Sequence, residues 1–525
     1  MNHQSLYSRL VVSALVLSLS GFVHAGASFA QDISGGAKSV QDITGGASMM
    51  LASADVEAKF GKGIFSSPQN RSHAPKHLEK KTVVRSAHPV QRQTTARNKP
   101  EPNTSDPKHS GDSTKPLGDS AKRVPNAEAF NKQGGDFFDA GQYQKAIDAY
   151  KKAIALQANY PEAYQNLGEA YFNLGQYDDA VAAEQQAILQ KPDLGAAHRA
   201  LGNAFLKLDR SADAISALKQ ALILDPTDAE AKASLSLAYY DQGVAAYNAN
   251  KYEDAVAAYR QAINVKPDYA EAHNNLGDAY RRLNKFTEAV EAYKLAVRFK
   301  PDSVDAYGDL AWTYAKLGKD PEAAEAYRQV IRLKPDDAEA NNNMGYALGR
   351  IKRWAEAIAA FKRAIELKPD YAEAYSNLGW AYNNTLQFTA ALDPLKKAIQ
   401  LKPELPEGHL NLGITYSRLG QKNEALAAFR QTIQLKPDWP AAQNNLGFAY
   451  GSLGKWKEAI EAHKQAVTLK PDYAGAHFNL GVDYLMAGKK DLAVAEYKIL
   501  FPMNLALANN LYLLIYKKPP PVTRP

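Results

Sequence analysis

The sequence predicts an all-α fold: a solenoid of eleven helix-turn-helix repeats, closed by a C-terminal capping helix and preceded by a disordered N-terminal region. Three observations predict it. A phrase recurs, first as Ala163-Tyr164-Gln165-Asn166-Leu167-Gly168-Glu169-Ala170-Tyr171, then around Asn275-Leu276-Gly277 and Asn377-Leu378-Gly379. From Asn343 to Asn377, Asn411, Asn445 and Asn479 the step is 34 residues each time, the mark of stacked supersecondary units. In both halves of the unit, apolar residues fall at the i, i+3, i+4, i+7 spacing of an amphipathic helix.

Numbered 1 to 34, the repeats start at Ala127, Pro161, Gly195, Ser236, Ala270, Val304, Ala338, Ala372, Pro406, Pro440 and Ala474, and they occupy residues 127–507. Seven extra residues, Ala229 to Leu235, precede the fourth start. They amount to about two helical turns and read as an extension of its first helix. Position 8 is Gly in ten repeats and Ala311 in the other, and position 20 is Ala in all eleven. Small residues there let the two helices of a hairpin approach closely. Leu or Met at 7, Tyr or Phe at 11 and an aromatic near 24 supply buried area. Position 32 is Pro in repeats two to ten, from Pro192 to Pro471. A Pro cannot continue a helix, so it ends the second one. Departures are few. Repeat one has Gln133 at position 7 and Ala158 at 32. Glu184 and His463 replace the aromatic at 24, and Pro394 falls inside a second helix, where a local bend is expected.

This pattern resembles the tetratricopeptide repeat (TPR) family, whose consensus runs Trp-x2-Leu-Gly-x2-Tyr, then Ala-x3-Phe, then Ala, then Pro. The likeness covers residues 127–507, and eleven tandem copies do not arise by chance. It implies a right-handed superhelix with first helices lining a concave groove.

The remaining segments are of other material. Residues 1–30 carry one charge, Arg9, an apolar run from Leu10 to Val23, and small-x-Ala sites ending at Ala25 and Ala30. This reads as a secretory signal peptide, with an uncleaved anchor as the alternative. An exported, periplasmic or secreted protein of a bacterial envelope is expected. Absence of Cys excludes disulfides, thiolate metal sites and Cys nucleophiles. Residues 31–125 are rich in Ser, Thr, Pro, Gln and Lys and too poor in apolar residues to bury a core, so disorder is expected. They hold 15 Lys/Arg against 9 Asp/Glu, which accounts for nearly all of the chain's net +7. The basic pI therefore belongs to an exported tail without aromatic interleaving, and nucleic acid is not an expected partner. At the other end, residues 504–518 read as a helix with Leu505, Leu511, Leu514 and Ile515 on one face, ended by Pro519. Its place suits a cap on the solenoid's open end. A dimer contact is the alternative, and the oligomeric state stays open.

The candidate partner site lies on first helices, where positions 2, 6, 9 and 13 share a stripe. Position 6 is Asn166, Asn275, Asn343, Asn377, Asn411, Asn445 and Asn479, with Asp241 and Asp309 in two other repeats. An amide both donates and accepts, so such a column can pair with the main chain of an extended peptide. It is similar to the asparagine ladder in the TPR superhelix of O-linked N-acetylglucosamine transferase. The competing reading is hydrogen bonding between neighbouring helices. Position 9 is Gly135, Glu169, Asn203, Val244 and Asp278 in the early repeats, then Trp312, Tyr346, Trp380, Ile414, Phe448 and Val482. An apolar run on a groove marks an interaction surface, unless it packs against the next first helix. Acids at position 2 and bases at 13 suit the helix dipole and need no ligand. The carboxylate clamp of chaperone-binding TPR domains does not match, since repeat five offers Glu271 and Asn275 where that clamp has Lys and Arg.

No catalytic signature survives. Gly61-Lys62-Gly63 is not a phosphate loop. His198, His273, His409 and His477 all occupy position 4, a packing slot, and the four histidines of the tail lack metal spacing. The repeats leave no room for a catalytic domain, and no cofactor or metal is expected. The expected function is a non-enzymatic scaffold or adaptor that binds protein or extended peptide segments. The alternative is a structural protein whose basic tail contacts cell wall, polysaccharide or membrane.

Overall fold

The computed structural model describes residues 126–517, which form 23 helices and no strand. The signal-peptide reading, the tail at 31–125 and the residues from 518 onward lie outside the described residues. The chain divides into two compact units between Pro301 and Asp302. The first unit holds α1 (Ala127–Asp139), α2 (Tyr143–Leu156), α3 (Pro161–Asn173), α4 (Tyr177–Gln190), α5 (Gly195–Lys207), α6 (Ser211–Leu224), α7 (Ala229–Asn248), α8 (Tyr252–Val265), α9 (Ala270–Arg282) and α10 (Phe286–Phe299). The second holds α11 (Val304–Lys316), α12 (Asp320–Leu333), α13 (Ala338–Arg350), α14 (Trp354–Leu367), α15 (Ala372–Asn384), α16 (Phe388–Leu401), α17 (Pro406–Arg418), α18 (Lys422–Leu435), α19 (Pro440–Ser452), α20 (Trp456–Leu469), α21 (Ala474–Met486), α22 (Lys490–Met503) and α23 (Leu505–Tyr516). Ten first helices begin at position 1 of their repeats. The fourth, α7, begins at Ala229, so the seven extra residues lengthen a helix of 20 residues.

Within each unit a hairpin packs along its own length, and its second helix packs on the next first helix. The Gly column explains the close approach. A Cβ on Gly134, Gly202, Gly243, Gly277, Gly379 or Gly413 would sit 2.3–2.6 Å from the position-24 side chain of the same repeat. That side chain is Tyr150, Leu218, Tyr259, Tyr293, Leu395 or Phe429, each nearly or fully buried. Position 8 therefore admits a side chain, not a helix backbone. The Ala column at position 20 is fully buried beside it. In the last repeat the rule changes hands: Leu511 of α23 lies 2.6 Å from where a Cβ on Gly481 would be. The terminal helix thus supplies from outside the repeats the contact that Tyr497, only half buried, does not make.

Each hairpin turns at position 15, which adopts positive φ in all eleven repeats. Gly fills it six times. Asp209, Asn250, Asn284, Lys352 and Leu386 fill it otherwise, and the left-handed region costs an L-residue about 1 kcal/mol. Second helices end at position 30, two residues before the Pro, with Lys at position 31 as the C-cap. The helix α16 continues from Phe388 to Leu401 through Pro394. Glutamates at position 2 bond Lys at position 31 of the same repeat, as in Glu162–Lys191 (3.3 Å), Glu271–Lys300 (2.9 Å) and Glu373–Lys402 (2.7 Å). The acidic edge is thereby tied to the end of its own hairpin. No helix among the described residues is long and apolar enough to cross a membrane.

Candidate partner interface

The predicted amide column is turned inward. Asn275, Asn343, Asn377, Asn411, Asn445 and Asn479 are all buried, none more than 7% exposed. Their partners recur by position. The amide nitrogen at position 6 donates to position 5 of the preceding first helix: Asn166 to Asn131 (3.0 Å), Asn275 to the Tyr240 hydroxyl (2.9 Å), Asn377 to Asn342 (2.9 Å) and Asn479 to Asn444 (2.9 Å). Asn343 accepts from its neighbour Asn342 (3.2 Å). In the free chain these amides are engaged between first helices. The helical rotation that puts position 6 on the stripe also aims it at the preceding first helix, where an acceptor stands.

Two members show what happens without that acceptor. Position 5 of repeat nine is Leu410, and the buried amide nitrogen of Asn445 has no hydrogen-bond partner. The Asn411 nitrogen faces a repeat whose position 5 is Ser376, and neither group finds a partner. Buried donors left unmade cost about 1–3 kcal/mol, so this stretch carries polar strain that the rest of the column relieves.

Position 9 divides in a way that the sequence did not disclose. Trp312, Tyr346 and Trp380 are buried, at 9%, 1% and 4% exposed. The Tyr346 and Trp380 rings lie 5.6 Å apart, and Trp354 meets Trp380 edge-on at 5.1 Å. All three are buried, and Tyr346 and Trp380 pack against each other between first helices. Ile414, Phe448 and Val482 are half-buried. Ile414 and Phe448 flank a core built on Leu410, Phe429, Trp439 and Ala442, and Val482 flanks the next one. The apolar stripe that reaches solvent is therefore confined to α17, α19 and α21.

The histidines of position 4 do more than pack. Each ring Nε2 bonds the carbonyl of the Pro at position 32 of the preceding repeat: His198–Pro192 (3.0 Å), His273–Pro267 (2.9 Å), His409–Pro403 (2.8 Å) and His477–Pro471 (3.0 Å). They pin the inter-repeat turn. Sequence reasoning passed over this because the partner is a backbone oxygen six residues earlier. Recurrence of His at position 4, always after Pro at 32, was the available signal. Among the described residues, no three His, Cys, Asp or Glu side chains are grouped to hold a metal ion.

Fold and columns together define a helical-hairpin repeat protein with structured first-helix faces. A family model described as the cilia and flagella-associated protein 70 C-terminal domain matches residues 103–344. A TPR repeat model matches residues 351–385, 387–420 and 451–488, and a tetratricopeptide repeat model matches 406–439. The chain belongs to the tetratricopeptide repeat proteins, a class of protein-interaction scaffolds. Solved structures similar to it include yeast Tom70, at 17% identity and a TM-score of 0.36, covering 74% of this chain and 95% of that one. The APC/C hetero-tetramer Cut9–Hcn1 has 15% identity and a TM-score of 0.41, covering 74% and 96%. YrrB, described as a TPR protein with an unusual peptide-binding site, has 22% identity and a TM-score of 0.30, covering 36% and 96%. No curated protein sequence matches the chain.

Proposed function

We propose that this chain is a non-enzymatic scaffold of the bacterial envelope whose partner, a protein or extended peptide segment, docks on the first helices of repeats nine to eleven. One observation carries the reading: Ile414, Phe448 and Val482 recur at the 34-residue step and are left half-exposed. A large apolar side chain kept at one position of three successive repeats, beyond what packing consumes, is an interaction stripe. Phe448 supplies the aromatic anchor that such surfaces favour. The buried Asn445 and Asn411 lie one helical turn before Phe448 and Ile414 on the same helices. Export rests on the Leu10–Val23 run followed by small-x-Ala sites.

The test is affinity capture from envelope extract by the full chain and by an I414S/F448S/V482S variant of equal helicity by circular dichroism. Partners held by the first and lost by the second support the site. Partners held equally by both remove it, and release from the envelope on deleting residues 31–125 would favour the tethering alternative.

A further inference from the structure

The last two repeats depart from their columns at linked positions. Position 24 is His463 where the other repeats, apart from Glu184 in the second, have Tyr, Phe or Leu. Position 10 is Asp483 where Ala170, Ala381 and Ala449 stand elsewhere. Position 23 is Glu496 where Ala360, Ala428 and Ala462 stand elsewhere. These departures meet in two pairs of one design. His463 Nδ1 lies 2.6 Å from an Asp483 carboxylate oxygen, and its Nε2 lies 3.1 Å from the Asn444 carbonyl. His477 Nδ1 lies 2.7 Å from a Glu496 oxygen, and its Nε2 lies 3.0 Å from the Pro471 carbonyl. All four residues are buried, none more than 8% exposed.

A carbonyl oxygen only accepts, so each Nε2 must carry hydrogen. An ionised carboxylate also only accepts, so each Nδ1–oxygen contact needs a second proton, on the ring or on the acid. Each pair therefore holds one proton more than the same residues hold in the unfolded chain at pH 7–8, where the imidazole is neutral and the acid ionised. The comparison with His273 is direct: it makes the same bond to a Pro carbonyl, its Nδ1 faces no hydrogen-bond partner, and no extra proton is required.

We propose that the two pairs form a proton-held clasp that fastens the last hairpin and the capping helix at neutral and acidic pH and loosens them as pH rises. Their surroundings leave the protons no other source of balance. The helices α19 and α23 contain no charged residue, and α21 contains none besides His477 and Asp483. On α20 the remaining charges, Lys457, Glu458, Glu461 and Lys464, are exposed, as are Lys490, Asp491 and Lys498 on α22. Tyr473 and Tyr484 are buried phenols, and burial with Glu496 and Glu461 nearby raises Tyr484 further. Titration follows the geometry. Burial alone would lower His477, but the bonds to Glu496 and Pro471 leave it above its ordinary value. Burial raises Asp483, against the opposing pull of His463. A group raised on folding contributes stability below its unfolded pKa and loses it as pH climbs through the folded one. The His477 shift thus places its loss on the alkaline side of the free imidazole, and the Asp483 shift places its own above the ordinary carboxylate range. Each proton makes the opening equilibrium about tenfold easier per pH unit inside that window.

The experiment is hydrogen exchange with mass spectrometry on the full chain, comparing protection factors at pH 6 and pH 8. The expected result is loss of protection across α20 to α23, with α17 and α18 as the internal reference. In D483N/E496Q the amides can donate to neutral rings, so all four contacts survive without the extra protons. This variant is expected to keep its helicity and lose the pH dependence. The column-restoring variant H463F/D483A/H477Y/E496A is expected to do the same by removing the ionisable groups. Equal protection of α20 to α23 in the wild-type chain at both pH values overturns the clasp. So does undiminished pH dependence in a folded variant.

Discussion

Repeats one to five and repeats six to eleven share a hairpin and treat the same two slots differently. Beneath the position-8 Gly, the first unit places Glu184 and the second places His463. Glu184 is 1% exposed, and neither of its oxygens has a hydrogen-bond partner. Burial, with Glu169 nearby, raises its acid well above the usual range despite Arg199 and so favours the neutral form. His463 instead brings its own counter-acid and a carbonyl. At position 9, the first unit uses Asp278, which accepts from the Tyr293 hydroxyl at 2.8 Å and from Arg281 at 3.0 Å. The second unit uses rings and aliphatic chains. The slot under Gly thus accepts an ionisable group when it is neutral or compensated. The position-9 column is polar at Asp278, where it is satisfied internally, buried at Trp312, Tyr346 and Trp380, and half-exposed at Ile414, Phe448 and Val482.

The sharpest break of this comparison is inside the second unit. Trp380→Ser should cost about 3–5 kcal/mol, since it removes a buried indole that fills the space against Gly349 and Tyr346. Phe448→Ser should cost about 1 kcal/mol while weakening partner capture. Urea unfolding of both variants separates them, and equal losses would place Phe448 in the core with Trp380.

A smaller effect is expected in the first unit. Glu184→Leu, which copies Leu218 and Leu395 in the same slot, should stabilise that unit by about 1–3 kcal/mol near pH 7 by removing an unpaired buried acid. Because the acid is raised on folding, its stabilising protonation is complete below the ordinary carboxylate pKa and is lost as pH rises toward the folded value. The gain from Glu184→Leu should therefore shrink in melts run at acidic pH; a gain independent of pH would mean that Glu184 is not titrating. Smallest is Leu386→Gly, which relieves positive φ at an exposed turn and should add about 1 kcal/mol to the second unit, read from its melting midpoint.

Much of this architecture was legible because each repeat rule is short-range. Gly at 8, Ala at 20 and Pro at 32 sit within one hairpin and mark where helices meet and stop. The column at position 6 was legible as a column but not in its orientation. Asn275 and Asn479 find their acceptors 35 residues away, on another repeat's first helix, and only the stacking reveals that Tyr240 and Asn444 stand there. Likewise, Trp312 and Phe448 occupy the same position, and the sequence offers no sign that packing consumes one and leaves the other half-exposed. The turn at position 15 was overlooked because Lys352 and Leu386 carry no turn chemistry and are held there by the hairpin around them.

The account stands or falls on where a captured partner sits. Hydrogen exchange with mass spectrometry on the complex, against the free chain, reads this directly. Added protection over α17, α19 and α21, around Ile414, Phe448 and Val482, is the expected result. Protection confined to repeats one to five, with those helices unchanged, would contradict it.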